Sequence, residues 1–229
     1  MKSHSASVAT AVSRVQKRRD DARQRVLESA TSLFAENGFA ETSIASIARE
    51  ADVSVGGFYN LFDSKEALYR EMVINRTQEF YESLRQARDS GGNPVERLQK
   101  VMVEKLVLFQ QEADAIHVHL SVNPGARMSL ISSFPEQARL TFERGMSETA
   151  AVINEGIRDG LFAPQDALRA AAAIEAVSTA LYLAHLEDPA ANNAARVLAD
   201  VQRYTGAMLR SETSPGESPG HSRNRETAG

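Results

Sequence analysis

The residues best equipped for chemistry in this chain stand close together: Val55, Gly56, Gly57, Tyr59 and Asn60, with Lys65 just beyond. A tyrosine hydroxyl and an asparagine amide beside two positions without side chains can donate to phosphate oxygens or base edges, and the bare positions let another surface come close. Two adjacent glycines near the start of a helix each cost roughly 1 kcal/mol relative to alanine, so a purely structural helix has little use for them. Lys65 falls in the first turn of the next helix, where the helix dipole disfavours a cation unless an anion such as phosphate is brought to it. The chemistry expected is therefore nucleic-acid recognition, with Tyr59 and Lys65 on phosphate and Val55, Gly57 and Asn60 at a major-groove edge.

Two short helices must position these groups. Ile44, Ile47, Ala48 and Ala51 recur at i, i+3, i+4 and i+7, one buried helical stripe with Thr42 or Ser43 as N-cap. Asp52-Val53 is the turn. Ser54 then caps the second helix, Val53 and Phe58 form a hydrophobic staple across the cap, and Phe58, Leu61 and Phe62 face inward. Thr42, Ser43 and Ser54, at the helix starts, join the outward residues as candidate DNA contacts. Asp63 or Ser64 caps the helix that carries Lys65.

The stretch resembles the DNA-binding motif of the TetR family of bacterial transcriptional regulators. Val53, Ser54, Gly56, Phe58, Tyr59, Phe62 and Ser64 to Glu66 match its pattern, and the likeness extends back through A-T-S-L-F-A-E-N-G-F at Ala30 to Phe39. About a quarter of the chain is covered. The family commonly has glycine where this chain has Asp52, and aspartate tolerates the left-handed region better than most residues. The resemblance implies a helix-turn-helix head on a helical body that encloses an effector cavity and pairs with a second subunit, and a regulator, most often a repressor, released from its operator by a small ligand. An all-helical module whose head binds protein instead of DNA is the alternative.

A chain of 229 residues with 42% hydrophobic content can bury a sizeable core. It has no cysteine, so disulfides and thiolate chemistry are excluded. No apolar run is expected to cross a bilayer and the first residues are too polar for a secretory signal, so the protein is expected in the cytoplasm with no membrane partner. The net charge is −4, yet the first 19 residues carry Lys2, Arg14, Lys17, Arg18 and Arg19 and no acid. Such a basic arm can serve phosphate or the minor groove, or simply solubilise the chain.

The expected fold class is all-α. Residues 1–19 are expected as a disordered basic arm, 20–66 as a three-helix DNA-binding domain, 67–210 as a helical effector-binding and dimerisation body, and 211–229 as a disordered tail. The first helix starts near Asp20 or Asp21 and stops at Gly38. The fourth runs from Ser64 to Arg88 and joins head to body. Asn93, Pro94 and Glu96 open the fifth, Gly160 ends the seventh, Asp166 caps the eighth, and Asp188-Pro189 opens the last.

Met72, Met102, Leu106, Phe109, Phe134, Phe142 and Met146 are either plain core or the walls of an apolar effector pocket, to which His117 could add a hydrogen bond. His117 and His119 project about 200° apart on a helix, the wrong spacing for chelation, so neither a metal nor any other cofactor is expected. The alanine-rich eighth helix, with Ala172 and Ala176, and a heptad-like seam of Val197, Leu198, Val201, Tyr204 and Met208 are read as the homodimer interface or as internal packing. No G-x-S-x-G, Walker, H-E-x-x-H or dinucleotide motif occurs, so no enzyme activity is expected. The partners expected are a double-stranded DNA operator, a small-molecule effector and a second copy of the chain.

Overall fold

Among the described residues nine α-helices carry the chain: α1 (Lys2–Asn37), α2 (Ile44–Glu50), α3 (Val55–Tyr59), α4 (Lys65–Asp89), α5 (Pro94–Gln111), α6 (Ala113–Val122), α7 (Glu136–Arg158), α8 (Ala167–Glu187) and α9 (Ala194–Leu209). The computed structural model describes residues 2–127 and 130–210, without the side chains of 2–13, Pro124 and Arg127. Two short 3-10 turns, Pro124–Arg127 and Ile131–Ser133, join α6 to α7, and no strand occurs among the described residues. The expected tail, 211–229, lies outside them.

Most helix boundaries follow from the capping residues. Ser43, Ser54, Ser64, Asn93 and Asp166 each accept from a backbone amide of the first turn, and Asn93 with Glu96 completes a capping box. Gly38 and Gly160 take the left-handed conformation that stops α1 and α7 (φ 82° and 71°). Asp52 does the same after α2 at φ 54°, alone among the described non-glycine residues. Two expected starts need correction. The basic segment 2–19 is helical and continuous with α1, because no glycine or proline interrupts residues 1–37 and extending a helix costs far less than nucleating one. Asp188-Pro189 does not open α9; Asp188 instead closes a turn by accepting from the Ala191 amide, and Asn193 caps the helix by accepting from Ala195 and Arg196.

Two hydrophobic clusters result. One gathers Val26, Ala30 and Phe34 of α1, Ile47 and Ala48 of α2, Phe58, Phe62, and Leu68 and Met72 of α4, together with Val118 of α6. The other fills the body between α5, α7, α8 and α9. Val197 and Val201 belong to this second core, Val201 being only 1% exposed. That corrects their expected place at a subunit seam: these two valines point into their own protomer. Helix α8 is long and apolar enough to cross a membrane, contrary to the expectation from sequence, but its apolarity comes largely from alanine and a third of its most apolar stretch is buried against neighbouring helices.

The end of α7 shows how tightly this body closes. The Leu161 and Phe162 amides both donate to the Gly156 carbonyl (2.8 and 3.1 Å), folding the Phe162 ring onto the space where a Gly156 Cβ would stand. Gly156→Ala is expected to lower unfolding free energy in urea by about 1–3 kcal/mol. An unchanged denaturation midpoint would show that the Phe162 ring gives way freely.

Candidate nucleic-acid interface and ligand cavity

Helix α3 is anchored from one side only. Phe58 is fully buried (0% exposed), whereas its neighbour Tyr59 is 53% exposed and Val55, Gly56 and Asn60 also face outward, with Gly57 half-buried. Ser54 is exposed too, its hydroxyl accepting from the Gly57 amide (2.9 Å). A Cβ at Gly56 would meet nothing closer than the Ser54 hydroxyl at 3.9 Å, so the protein's own packing does not require that glycine. A shallow notch beside this face is lined by Ser43, Tyr59 and Lys65 among others, and also by the acidic Glu41, Asp63 and Glu66. It brings together the N-termini of α2 and α4, whose capping hydroxyls take one amide each and leave other first-turn amides without intrahelical partners.

Two expected contacts have other work. Thr42 is buried (3% exposed) and directs its hydroxyl at the carbonyls of Leu33 and Gly38. The Lys65 ammonium donates to the carbonyls of Phe39, Ala40 and Thr42 at 2.6, 3.3 and 2.9 Å and lies 4.4 Å from the centre of the Phe39 ring. A lysine has three ammonium protons, so these carbonyls use the full set. The cation that looked misplaced at a helix N-terminus is held by the loop opposite.

The head is tied to the body by α4 and α6. Arg23 of α1 forms an ion pair with Glu71 of α4 (Nε to Oε1 2.6 Å) and also donates to the Leu61 carbonyl (2.7 Å). Above them runs a hydrogen-bond chain with a fixed direction. The Ser133 hydroxyl donates to the Leu130 carbonyl, so His119 Nε2 carries the proton that reaches Ser133 Oγ (2.7 Å), and His119 Nδ1 accepts from the Tyr69 hydroxyl (2.7 Å). Asn123 donates to Tyr69 in turn (3.3 Å). Burial holds the His119 pKa down at about 4 and raises the Tyr69 hydroxyl to about 12.

Behind this chain a cavity of about 120 Å³ opens between α4, α5, α6, α8 and the turn before α7. Of the expected pocket residues, Met72, Phe109 and Phe134 line it. His117 is exposed on the far side of α6, and His119 takes the inward position. Phe142 packs edge-on behind Tyr81 (5.9 Å between ring centres) without reaching the cavity. Met102 and Met146 border a separate, smaller space of about 40 Å³, and Leu106 is core.

Sequence reasoning missed the polar wall. Lys105, 4% exposed, donates to Glu175 (2.7 Å), Ser178 and Thr179 (both 2.9 Å) inside the body, where burial pulls its pKa down and Glu175 pushes it back up. Arg76 and Glu112 pair at 2.5 Å, and Tyr69 and Tyr81 complete the wall. A signal was present: Lys105 occupies the place on the Leu98, Met102, Phe109 stripe where an apolar residue belongs.

The second subunit's expected surface also divides. Ala172, Ala176 and Tyr204 are exposed, Leu198 and Met208 half-buried, and Val197 and Val201 are internal. Leu168 extends the exposed apolar face of α8.

Residues 26–72, spanning the two short helices and the start of α4, match the model of the bacterial regulatory proteins of the tetR family. The HTH-type transcriptional repressor KstR2 of Mycobacterium tuberculosis is 30% identical over 152 residues, 62% of this chain and 70% of that protein. The chain belongs to the TetR family. Another relative, the HTH-type transcriptional repressor DhaR of a Mycobacterium species, is 35% identical over 35% of this chain and 41% of its own length. A TetR transcription regulator from Haloarcula marismortui shares the fold over 83% of this chain and all of its own, with a TM-score of 0.70 at 22% identity. The protein is thus a DNA-binding transcriptional regulator of the TetR family with an N-terminal helix-turn-helix head on a helical body.

Two outcomes follow from the site's geometry. Lys65→Met is expected to lower stability by about 1.5–3 kcal/mol through its stranded carbonyls, while the salt dependence of DNA affinity keeps its slope; a slope lowered by about one would return Lys65 to the phosphate backbone. His119 binds its proton less readily folded than unfolded, so its contribution is complete above the unfolded pKa of about 6.5 and is lost as pH falls towards 4. His119→Gln is therefore expected to flatten the stability profile between pH 6.5 and 4; parallel profiles would contradict the burial argument.

Proposed function

We propose that this TetR-family regulator is a cytoplasmic repressor that binds a pseudo-palindromic operator as a homodimer, one α3 per half-site, and leaves it when a small, largely apolar molecule fills the body cavity. The observation that carries the DNA reading is the outward face of α3, where Val55 and Tyr59 stay exposed beside a glycine that internal packing does not need. Val55, Gly57 and Asn60 meet base edges; Tyr59, Ser43, Ser54 and the first-turn amides beside the notch meet phosphates. The Lys65 ammonium supports the notch from behind, not as a direct contact. The names of the mycobacterial relatives, both repressors, support repression over activation.

Coupling between cavity and head runs through α6. Val118 lies in the head's hydrophobic cluster and also lines the cavity, and His119 beside it holds Tyr69 of α4. A ligand that prefers a displaced α6 therefore changes the seat of α4 and of the head. Coupling of about 1–3 kcal/mol would lower operator affinity some 5- to 150-fold, and a ligand equally welcome in both states would shift nothing.

A mobility-shift titration with DNA flanking the protein's own gene is expected to give a specific complex whose footprint contains two half-sites about 34 Å apart. Absence of any sequence-specific shift would favour the alternative, a head that binds protein. Ala176→Arg, on the exposed face of α8, is expected to leave a folded monomer with weakened operator binding. A dimer of wild-type affinity would place the interface elsewhere.

A further inference from the structure

Nearly every polar group that borders the cavity is already spent inside the protein. Arg76 is paired with Glu112, and Lys105 with Glu175, so the charges on the wall cancel two by two. Lys105 places its remaining ammonium protons on Ser178 and Thr179. Tyr69 and His119 hold each other, and the hydroxyls of Thr31 and Thr77 return to the Leu27 and Val73 carbonyls of their own helices. The exceptions are the Arg76 N–H groups that its one bond to Glu112 leaves free and, deeper in, Tyr81. It lies deep in the body, its ring resting where a Cβ of Gly145 would stand, and its hydroxyl has no hydrogen-bond partner among the described residues. No polar side-chain atom there is both sealed from solvent and unpaired, so the hydroxyl is not closed off, and Tyr81 borders both this cavity and the smaller space beside Gly145. Burial, then the nearby Glu175 charge, keeps it protonated and able to donate.

We infer that the cavity takes an uncharged, largely apolar molecule that presents one hydrogen-bond acceptor, a ketone-like oxygen, to the Tyr81 hydroxyl, and that it discriminates against carboxylates. This inference rests on the cavity being the effector site. Each cation is already balanced by a carboxylate, so an anion enters with no net charge to compensate it: Lys105 has no proton to spare, and the Arg76 N–H groups that Glu112 leaves free belong to a pair whose charge is cancelled, while a cationic ligand meets the mirror-image penalty. A neutral molecule disturbs neither pair. Phe80, Phe109 and Phe134 supply apolar walls for its body. Tyr81 and the Arg76 N–H groups that Glu112 does not take are the unspent donors on the wall among the described residues, so the complementary ligand group is an acceptor.

Equilibrium dialysis of the full chain near neutral pH with 2-acetylnaphthalene, 2-ethylnaphthalene and 2-naphthoate tests this, because the three share one apolar skeleton and differ in the group presented. The ketone is expected to bind roughly a hundredfold more tightly than naphthoate. In Tyr81→Phe the ketone-to-hydrocarbon affinity ratio is expected to fall about three- to tenfold. Naphthoate binding as tightly as the ketone, or a ratio unchanged in Tyr81→Phe, overturns the assignment while leaving the cavity a ligand site. Binding of none of the three by a protein that still shifts its operator overturns both. The naphthoate comparison uses the wild-type chain alone, so it decides the matter even if Tyr81→Phe does not fold.

Discussion

The ammonium of Lys65, set on the carbonyls of Phe39, Ala40 and Thr42, fixes the geometry of the whole head. Helices of seven and five residues are far below the length at which a helix holds itself together in water, so α2 and α3 depend on neighbours for their ends as well as for their apolar faces. Longer helices supply those ends. Arg25 of α1 donates to the Ala51 carbonyl that closes α2 (3.1 Å), and Arg23 to the Leu61 carbonyl just beyond α3. Cations from α1 thus satisfy carbonyls at the ends of the short helices, Lys65 of α4 holds the loop that leads into α2, and the direction in which α3 faces follows from where those cations sit.

The same rod carries the other end of the problem. Helix α4 has 25 residues, about 37 Å at the usual rise. Lys65 holds its start, the cavity borders its middle at Met72 and Phe80, and buried Arg88 near its end bonds Glu148 of α7 at 2.7 Å. A rod pinned at both ends does not bend freely at its centre. Displacement at the cavity must therefore be taken up where the pinning is polar and local, and the Tyr69–His119–Ser133 chain is such a place. It joins α4 to α6 through hydroxyls and one imidazole, beside the apolar cluster that Val118 shares with Leu68 and Met72.

How much of this was legible in the sequence depended on how local the cause was. Caps, glycine stops and the helix-turn-helix are set by residues within a few positions of each other, and Ser54, Asn93, Gly38 and Gly160 all act as the sequence reading expected. The site was legible where an outward residue has nothing else to do, as for Tyr59. It was not legible where a side chain finds a partner far along the chain. Lys65 reaches back 23 to 26 positions and Lys105 forward 70 or more, and no periodicity records such distances. The error at α9 has a different origin. A heptad pattern states that two apolar faces meet, but not whether the second belongs to the same chain, and Val201 finds its neighbours at home.

Helix α8 shows how these constraints meet in one element. Its buried stripe, with Ala171, Ile174, Ser178 and Tyr182, packs into the body, and Glu175 and Thr179 border the cavity at the edge of that stripe. Its remaining face, Leu168, Ala172 and Ala176, is apolar yet open to water in the single protomer. Alanine is the residue that can serve such a face: it favours the helix, costs no side-chain entropy, and lets a second helix approach closely. On the proposed dimer, that approach would place the partner one helix thickness from the Lys105–Glu175 pair. The two functions of the body would then share α8, the ligand acting on one edge and the second subunit on the adjacent face. A polar pair buried on such a helix fixes its rotation in a way that alanines alone cannot, because any turn of α8 about its axis carries Glu175 away from Lys105 and leaves both charges unpaired.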